Sequence, residues 1–150
     1  MTMWWAVMVL AGMQANAPAS APAVSIDGLP LGVLPAQDLP AKGCAAYLFS
    51  TGQTRALATM ATAEPGSLRL MLDGRVTDLP RTGAEGNATL GLAPTTTYAA
   101  GGVTATLTLT IEQRATLTAG AAVPIATLRL DRAGQDSIAM PLAGLLGCRT

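Results

Sequence analysis

The sequence predicts an all-β protein: an antiparallel β-sandwich, or a partly open barrel, of about seven to nine short strands. Three observations carry this. "VTATLTLTIEQ" (103–113) alternates apolar and threonine positions with the period-2 signature of a half-buried strand. Asp73-Gly74, flanked by apolar alternation, is the dipeptide that a two-residue hairpin turn requires. The remaining apolar runs are short and punctuated by Gly, Pro, Asp and Asn, with no amphipathic stretch of normal helix length.

Taken in chain order, "MTMWWAVMVLAGM" and the small residues of "QANAPASAPA" predict a signal peptide over 1–19, and hence a periplasmic or secreted protein. Cleavage falls near Ala17 or Ala19, and Pro18 directly after the first site favours the second. The apolar run is shorter than the roughly 20 residues that span a bilayer, so no stable span is expected after cleavage. "VLAGM" has Met13 where a lipidated cysteine would stand, so nothing there can be acylated. Residues 20–41 form a lead-in rich in Pro and Ala, whose prolines block a helix. Residues 20–23 read as a loose tail and 24–40 as extended chain that could supply an edge strand. A single domain is expected over 42–150.

Within it, "CAAYLFS" reads as a strand and "TGQ" as a turn. "RALATMAT" is ambiguous in period but is stopped by "EPG" after one short run, which favours a strand. "SLRLMLDGRVTDLP" is a hairpin that pairs Leu72 with Arg75, Met71 with Val76 and Arg69 with Asp78. "RTGAEGNAT" reads as a loop, and "LGLAP" and "TTTYAAGG" as short extended pieces. After the 103–113 strand, "TAGAAVP" turns the chain, and "IATLRLD" and "SIAMPL" flank "RAGQ" as a second hairpin. The two L-R-L hairpins resemble each other, but two similar hairpins in one domain do not make a repeat protein.

Composition narrows the chemistry. Apolar residues are 50% of the chain and aromatics 3%, so the core must be built from Ala, Leu, Val, Ile and Met. Charged residues are 12%, and nine bases cancel nine acids, which leaves no net field to attract nucleic acid or an anionic membrane. Lys42 is the only lysine among those bases, and with the abundant Ala this suggests a GC-rich bacterial genome.

Cys44 and Cys148 are expected to form a disulfide, as two isolated cysteines do in an oxidising compartment. Closing a loop of that length contributes about 4–5 kcal/mol on the chain-entropy model. The chain has no His. Zinc therefore lacks its usual partner ligands, and Ser50, Ser67, Ser137 and Cys44 lack an imidazole base. Lys42 follows prolines and has no serine motif beside it. Asp73, Asp131 and Asp136 sit in turns, as does Glu64 before Pro65, where acidic residues serve backbone geometry. "DRAGQD" (131–136) lacks the dense oxygen spacing of a calcium loop. Gly101-Gly102 precedes a strand and so offers no helix N-terminus to a phosphate. No catalytic, cofactor or metal residue is assigned.

Tyr47 and Phe49 lie two apart on one face and are expected in the core rather than on a stacking platform, because the core has no other aromatic bulk. The threonine row of 103–113 is expected to be the wet face of a strand. A hydroxyl array of the ice-binding kind needs several strands in register, and one strand carries the row. These readings favour a non-enzymatic structural or protein-interaction module of the bacterial envelope, whose partner is another envelope protein. One form would be an inhibitor that inserts the loop at 81–89 into its target; otherwise a sheet edge or apolar patch would make the contact. The alternatives are a small-ligand carrier with an apolar pocket between sheets and a hydrolase using carboxylates alone.

Overall fold

A computed structural model describes residues 24–149; the expected signal peptide and the tail at 20–23 lie outside the described residues. Nine strands follow in order: β1 (Leu31–Gly32), β2 (Gly43–Ser50), β3 (Leu57–Thr62), β4 (Ser67–Leu72), β5 (Arg75–Glu85), β6 (Thr95–Ala100), β7 (Val103–Glu112), β8 (Gly120–Arg132) and β9 (Ile138–Arg149). From β2 to β9 each strand pairs antiparallel with the next in sequence, and β9 returns to β2. The result is an eight-stranded up-and-down barrel with one extra strand. Of the two all-β forms expected, it is the barrel, and it is closed.

Local chemistry explains the turns. Asp73 (φ 50°) and Gly74 (φ 79°) give the two-residue turn, and the ladder pairs Leu72↔Arg75, Met71↔Val76 and Arg69↔Asp78 as the sequence predicts. Gly101 and Gly102 turn β6 into β7 in the same way. The "RAGQ" hairpin joins β8 and β9, with Leu130 opposite Ile138.

Three local readings need correction. "LGLAP" is a tight turn, with Leu90 at φ 52° and Gly91 at φ 83° between the bridged Thr89 and Leu92. Leu rarely adopts that region, so composition concealed it. Residues 81–85 of the expected loop continue β5, because β6 pairs alongside them. β8 already begins at Gly120, and a bulge between Val123 and Ala126 absorbs Pro124, which has no N–H to give a ladder.

The barrel interior is packed with side chains. Leu48, Leu68, Leu70, Leu79, Leu107, Leu128, Leu130 and Met140 are among those fully buried within one continuous core. In β7 the phase is as expected: Ala105, Leu107 and Leu109 are buried, with threonines between them. An eight-stranded barrel is narrow enough for such residues to fill it. This apolar-in alternation is the reverse of that in outer-membrane barrels, whose interiors are polar. Thr59, buried in β3, donates its hydroxyl to the Arg69 carbonyl at 2.7 Å.

The lead-in belongs to this folded unit. β1 continues the β3 side of β4, pairing Leu31↔Leu72 and Gly32↔Met71. Ile26 and Leu31 are buried in the main core and cover the barrel end that carries the β4–β5 and β8–β9 turns. The Asp73 N–H donates to the Pro30 carbonyl at 3.0 Å, and the Thr54 N–H to Asp27 Oδ1 at 2.7 Å. The chain then descends along the outside of the barrel as a strap. Leu34 packs there on Ala45 and Met60, and the Tyr47 hydroxyl donates to the Asp38 carbonyl at 3.0 Å.

Candidate interaction face

β2 and β9 are the one neighbouring pair in the barrel that is distant in sequence, and the disulfide lies on it. Cys44 and Cys148 are direct cross-strand partners with Cα atoms 4.0 Å apart, and they pack against the inner core. The expected bridge is therefore present, and it covalently holds the closing seam. The strands also approach closely: a Cβ added to Gly144 would stand 1.9 Å from the Tyr47 carbonyl oxygen.

The outer surface of this seam is apolar. Tyr47 and Phe49 share a face as predicted, but it is the outer face, because Ala46 and Leu48 between them take the interior. Phe49 is 45% exposed, and Tyr47 is partly covered by the strap. Burial, with the Asp38 carboxylate beside it, pushes the Tyr47 phenol above its ordinary value. The expectation that both rings fill the core is thus overturned; the buried ring is Tyr98, at 1% exposure.

Opposite Tyr47 on β9 stands Leu145, 55% exposed, and opposite Phe49 stands Ala143. The β8 bulge lies beyond Ala143 and turns Ile125 outward, 68% exposed. Leu39 of the strap, 39% exposed, lies over Gly147 beside Tyr47. Four of the six large apolar side chains exposed among the described residues therefore fall on one face. Its outward positions from Ala45 to Phe49, Pro141 to Gly147 and Pro124 to Thr127 carry no charge. Sequence reasoning missed Leu145 and Ile125. The available signals were an apolar residue at an outward position, since the phase of β9 runs unbroken through Leu145 and Leu146, and Pro124, whose bulge displaces Ile125.

Next to this face, the threonine row has company. Thr95 and Thr97 of β6, Thr104 to Thr110 of β7 and Thr127 of β8 all point outward, and Thr95, Thr108 and Thr127 stand in one rank. The row is not confined to one strand as expected, although it is solvent-facing.

The other candidates separate into structural roles. Asp131 accepts from the Arg129 Nε at 3.0 Å and also from the Ser137 hydroxyl. Those donors hold its carboxyl below the usual range, the serine contributing most, so the first of the two carboxylates of "DRAGQD" is committed to protein donors. Asp73 pairs with Arg132 at 2.7 Å, tying the β4–β5 turn to the end of β8. Ser50 is buried, and its hydroxyl accepts the Ala56 N–H at 3.2 Å and donates to the Thr54 carbonyl. Between the strap and the outer faces of β3, β4 and β5 runs an open groove of about 490 Å³ containing Gln37, Asp38, Arg69 and Asp78. Arg69 there donates twice to Asp78, at 2.7 and 3.0 Å, and once to Gln37 at 2.8 Å, which joins the strap to the sheet.

Barrel closure also removes most edges. Among the described residues, β9 pairs with β2 only from Leu142 onward, and β5 has unpaired stretches opposite β6 along Arg75–Pro80 and opposite β4 along 82–85. Pro80 and the charges of Arg75, Asp78 and Glu85 make these poor templates for an added strand. No protein-family model matches the chain, and neither curated proteins nor solved structures yield a match.

Proposed function

We propose that this chain is an exported bacterial envelope protein that works without catalysis, as a protein-interaction module contacting its partner through the outer face of β2, β9 and β8. The observation that carries the reading is the clustering of Phe49, Leu145, Ile125 and Leu39 on one largely apolar surface, with Asp38 and Arg149 at its Tyr47 end. Contiguous exposed apolar area is costly to keep in water and marks contact sites on soluble proteins. Export is supported by the N-terminal sequence and by a disulfide at the closing seam, which suits an oxidising compartment.

The carrier alternative needs a cavity, and the barrel axis is filled by leucines. The carboxylate hydrolase needs two free acids facing one another, and Asp78 in the groove is held by Arg69. The inhibitory segment at 81–89 is exposed through 81–88 but lacks a large apolar anchor.

The test places a photoreactive benzophenone side chain at Leu145, or at Thr108 as a control, in protein exported by a Gram-negative host. The expected result is a discrete adduct from position 145 and none from 108. No adduct from 145, or equal labelling from both, would remove the face from consideration. Intact mass with thiol blocking before and after reduction checks export and the bridge in the same preparation.

A further inference from the structure

We propose that the strap, residues 34–42, is a removable cover that opens while the barrel stays closed and so enlarges the apolar face. The inference rests on the interaction reading above and adds the regulation of that face. The first support is that the strap has a small core of its own. Leu34, Ala45 and Met60 are buried in a cluster separate from the barrel interior, with Tyr47 and Leu57 packed against it. The stretch before the strap differs, since Ile26 and Leu31 belong to the main core. A satellite cluster under a connecting segment can lose its contacts without disturbing the main core, and such segments open at lower free energy than the whole.

The second support is how sparsely the strap is attached. The Leu34 N–H donates to the Leu57 carbonyl at 2.8 Å, Arg69 to the Gln37 side chain at 2.8 Å, and the Tyr47 hydroxyl to the Asp38 carbonyl at 3.0 Å. Apart from that Asp38 carbonyl, no backbone group of 36–40 is hydrogen-bonded to another described residue. No ladder of the barrel includes a strap residue, so lifting the strap breaks none of them. Its ends are suited to hinging. Val33 is held by the Val24 carbonyl at 2.8 Å, and Gly43 (φ 77°) starts β2 with nothing nearer than 4.0 Å to the place of a Cβ. The open groove of about 490 Å³ beside 36–40 gives the strap room to move.

What lies beneath is apolar and continuous with the face. Met60 pairs with Tyr47, and Tyr47 with Leu145, so an open strap leaves one apolar rank across β3, β2 and β9. Phe49 and its partner Leu57 lie beside that rank. Asp38 departs with the strap, which removes one of the two charges that act on Tyr47. A partner that binds the enlarged face draws the strap toward its open position.

Native-state hydrogen exchange of the pure chain tests the opening. The Leu34 amide should be protected at least about tenfold less than the β2 amides, with a weaker dependence on urea. Two variants test the consequence: Leu34→Asn removes the anchor of the satellite cluster, and the milder Gln37→Ala removes only the acceptor of Arg69. In each, slow β2 amides establish that the barrel is folded. Binding of an anilinonaphthalene sulfonate dye should rise, and the adduct from a benzophenone at 145 should increase by roughly twofold or more. Exchange of the Leu34 and β2 amides with one protection and one urea slope overturns the proposal. So does an adduct yield that neither variant changes. If no adduct forms from 145 in any of the three proteins, the interaction reading fails and the dye decides on the strap alone. Dye bound by the variants then upholds the cover, and dye left unbound overturns it as well.

Discussion

β2 and β9 meet along eight successive pairs, from Gly43↔Arg149 to Ser50↔Leu142, with no break in register. β5 divides its pairing: Arg75–Pro80 lies against β4, and 81–85 lies against β6 with a bulge between Arg81 and Gly83. Along the whole of β5 only Leu79 is buried. The contrast follows from chain connectivity. β5 is joined to both neighbours by short connections, so its pairs form at little loop-closure cost. The β2–β9 pair brings together residues 104 apart in sequence and has to offset a larger entropy loss. The barrel's closing contact is therefore long, regular and covalently held, and its local contact can be short and exposed.

The largest expected effect breaks that closure. Replacing Cys44 and Cys148 together by Ala should lower stability by up to about 4–5 kcal/mol on the chain-entropy model. The urea midpoint should fall markedly, and amide exchange should rise first in β2 and β9. An unchanged midpoint would mean that noncovalent pairing alone closes the barrel. Next comes close packing at the same seam. Gly144→Ala puts a Cβ against the Tyr47 backbone, which has no flexible end to yield, so a loss of about 1–3 kcal/mol or more is expected. Gly83→Ala in β5 meets open space and should stay within about 0.5 kcal/mol. Equal losses at the two glycines would erase the distinction between the seams.

A pH measurement extends the comparison to the interior. Burial pushes the Tyr98 phenol up, with smaller opposing effects from Thr96 and Arg81. An acid whose folded pKa is raised binds its proton more tightly in the native state. Its stabilisation is therefore complete below the unfolded value of about 10 and is lost as pH rises through the folded one. Stability should fall above about pH 10, and Tyr98→Phe should flatten that fall. A fall of the same slope in Tyr98→Phe would place its cause elsewhere.

How much of this was legible in the sequence depended on range. The Asp73-Gly74 register, the inward phase of 103–113 and the Cys44–Cys148 pair could be read because each rests on neighbouring residues or on elimination. The choice of barrel over sandwich could not, since it hangs on the distant β2–β9 pairing. That pairing also decided the fate of Tyr47 and Phe49. Period 2 placed them on one face but could not say which, and Ala46 and Leu48 took the interior. The face itself was hidden for the same reason: Phe49, Leu145 and Ile125 come from three strands that only the closed barrel makes adjacent. Ile26 and Leu31 were obscured by their proline-rich surroundings, which say extended chain without saying what it covers.

The smallest expected effect lies on the β5 side, at Arg69. Its two bonds to Asp78 join β4 to β5, and its third, to Gln37, reaches the strap. Both members of the ion pair are substantially exposed, at 41% and 50%, so water and salt weaken their attraction. Arg69→Gln should cost no more than about 1 kcal/mol. That difference should shrink further near 1 M salt, where the screening length is about 3 Å. Local effects should exceed global ones: exchange of the Leu34 amide of the strap, which donates to the Leu57 carbonyl, should quicken while β2 amides beneath the strap stay slow. A loss as large as that of the disulfide would mean that the β4–β5 pairing, although local, limits the stability of the whole barrel. The ranking of the two seams would then reverse.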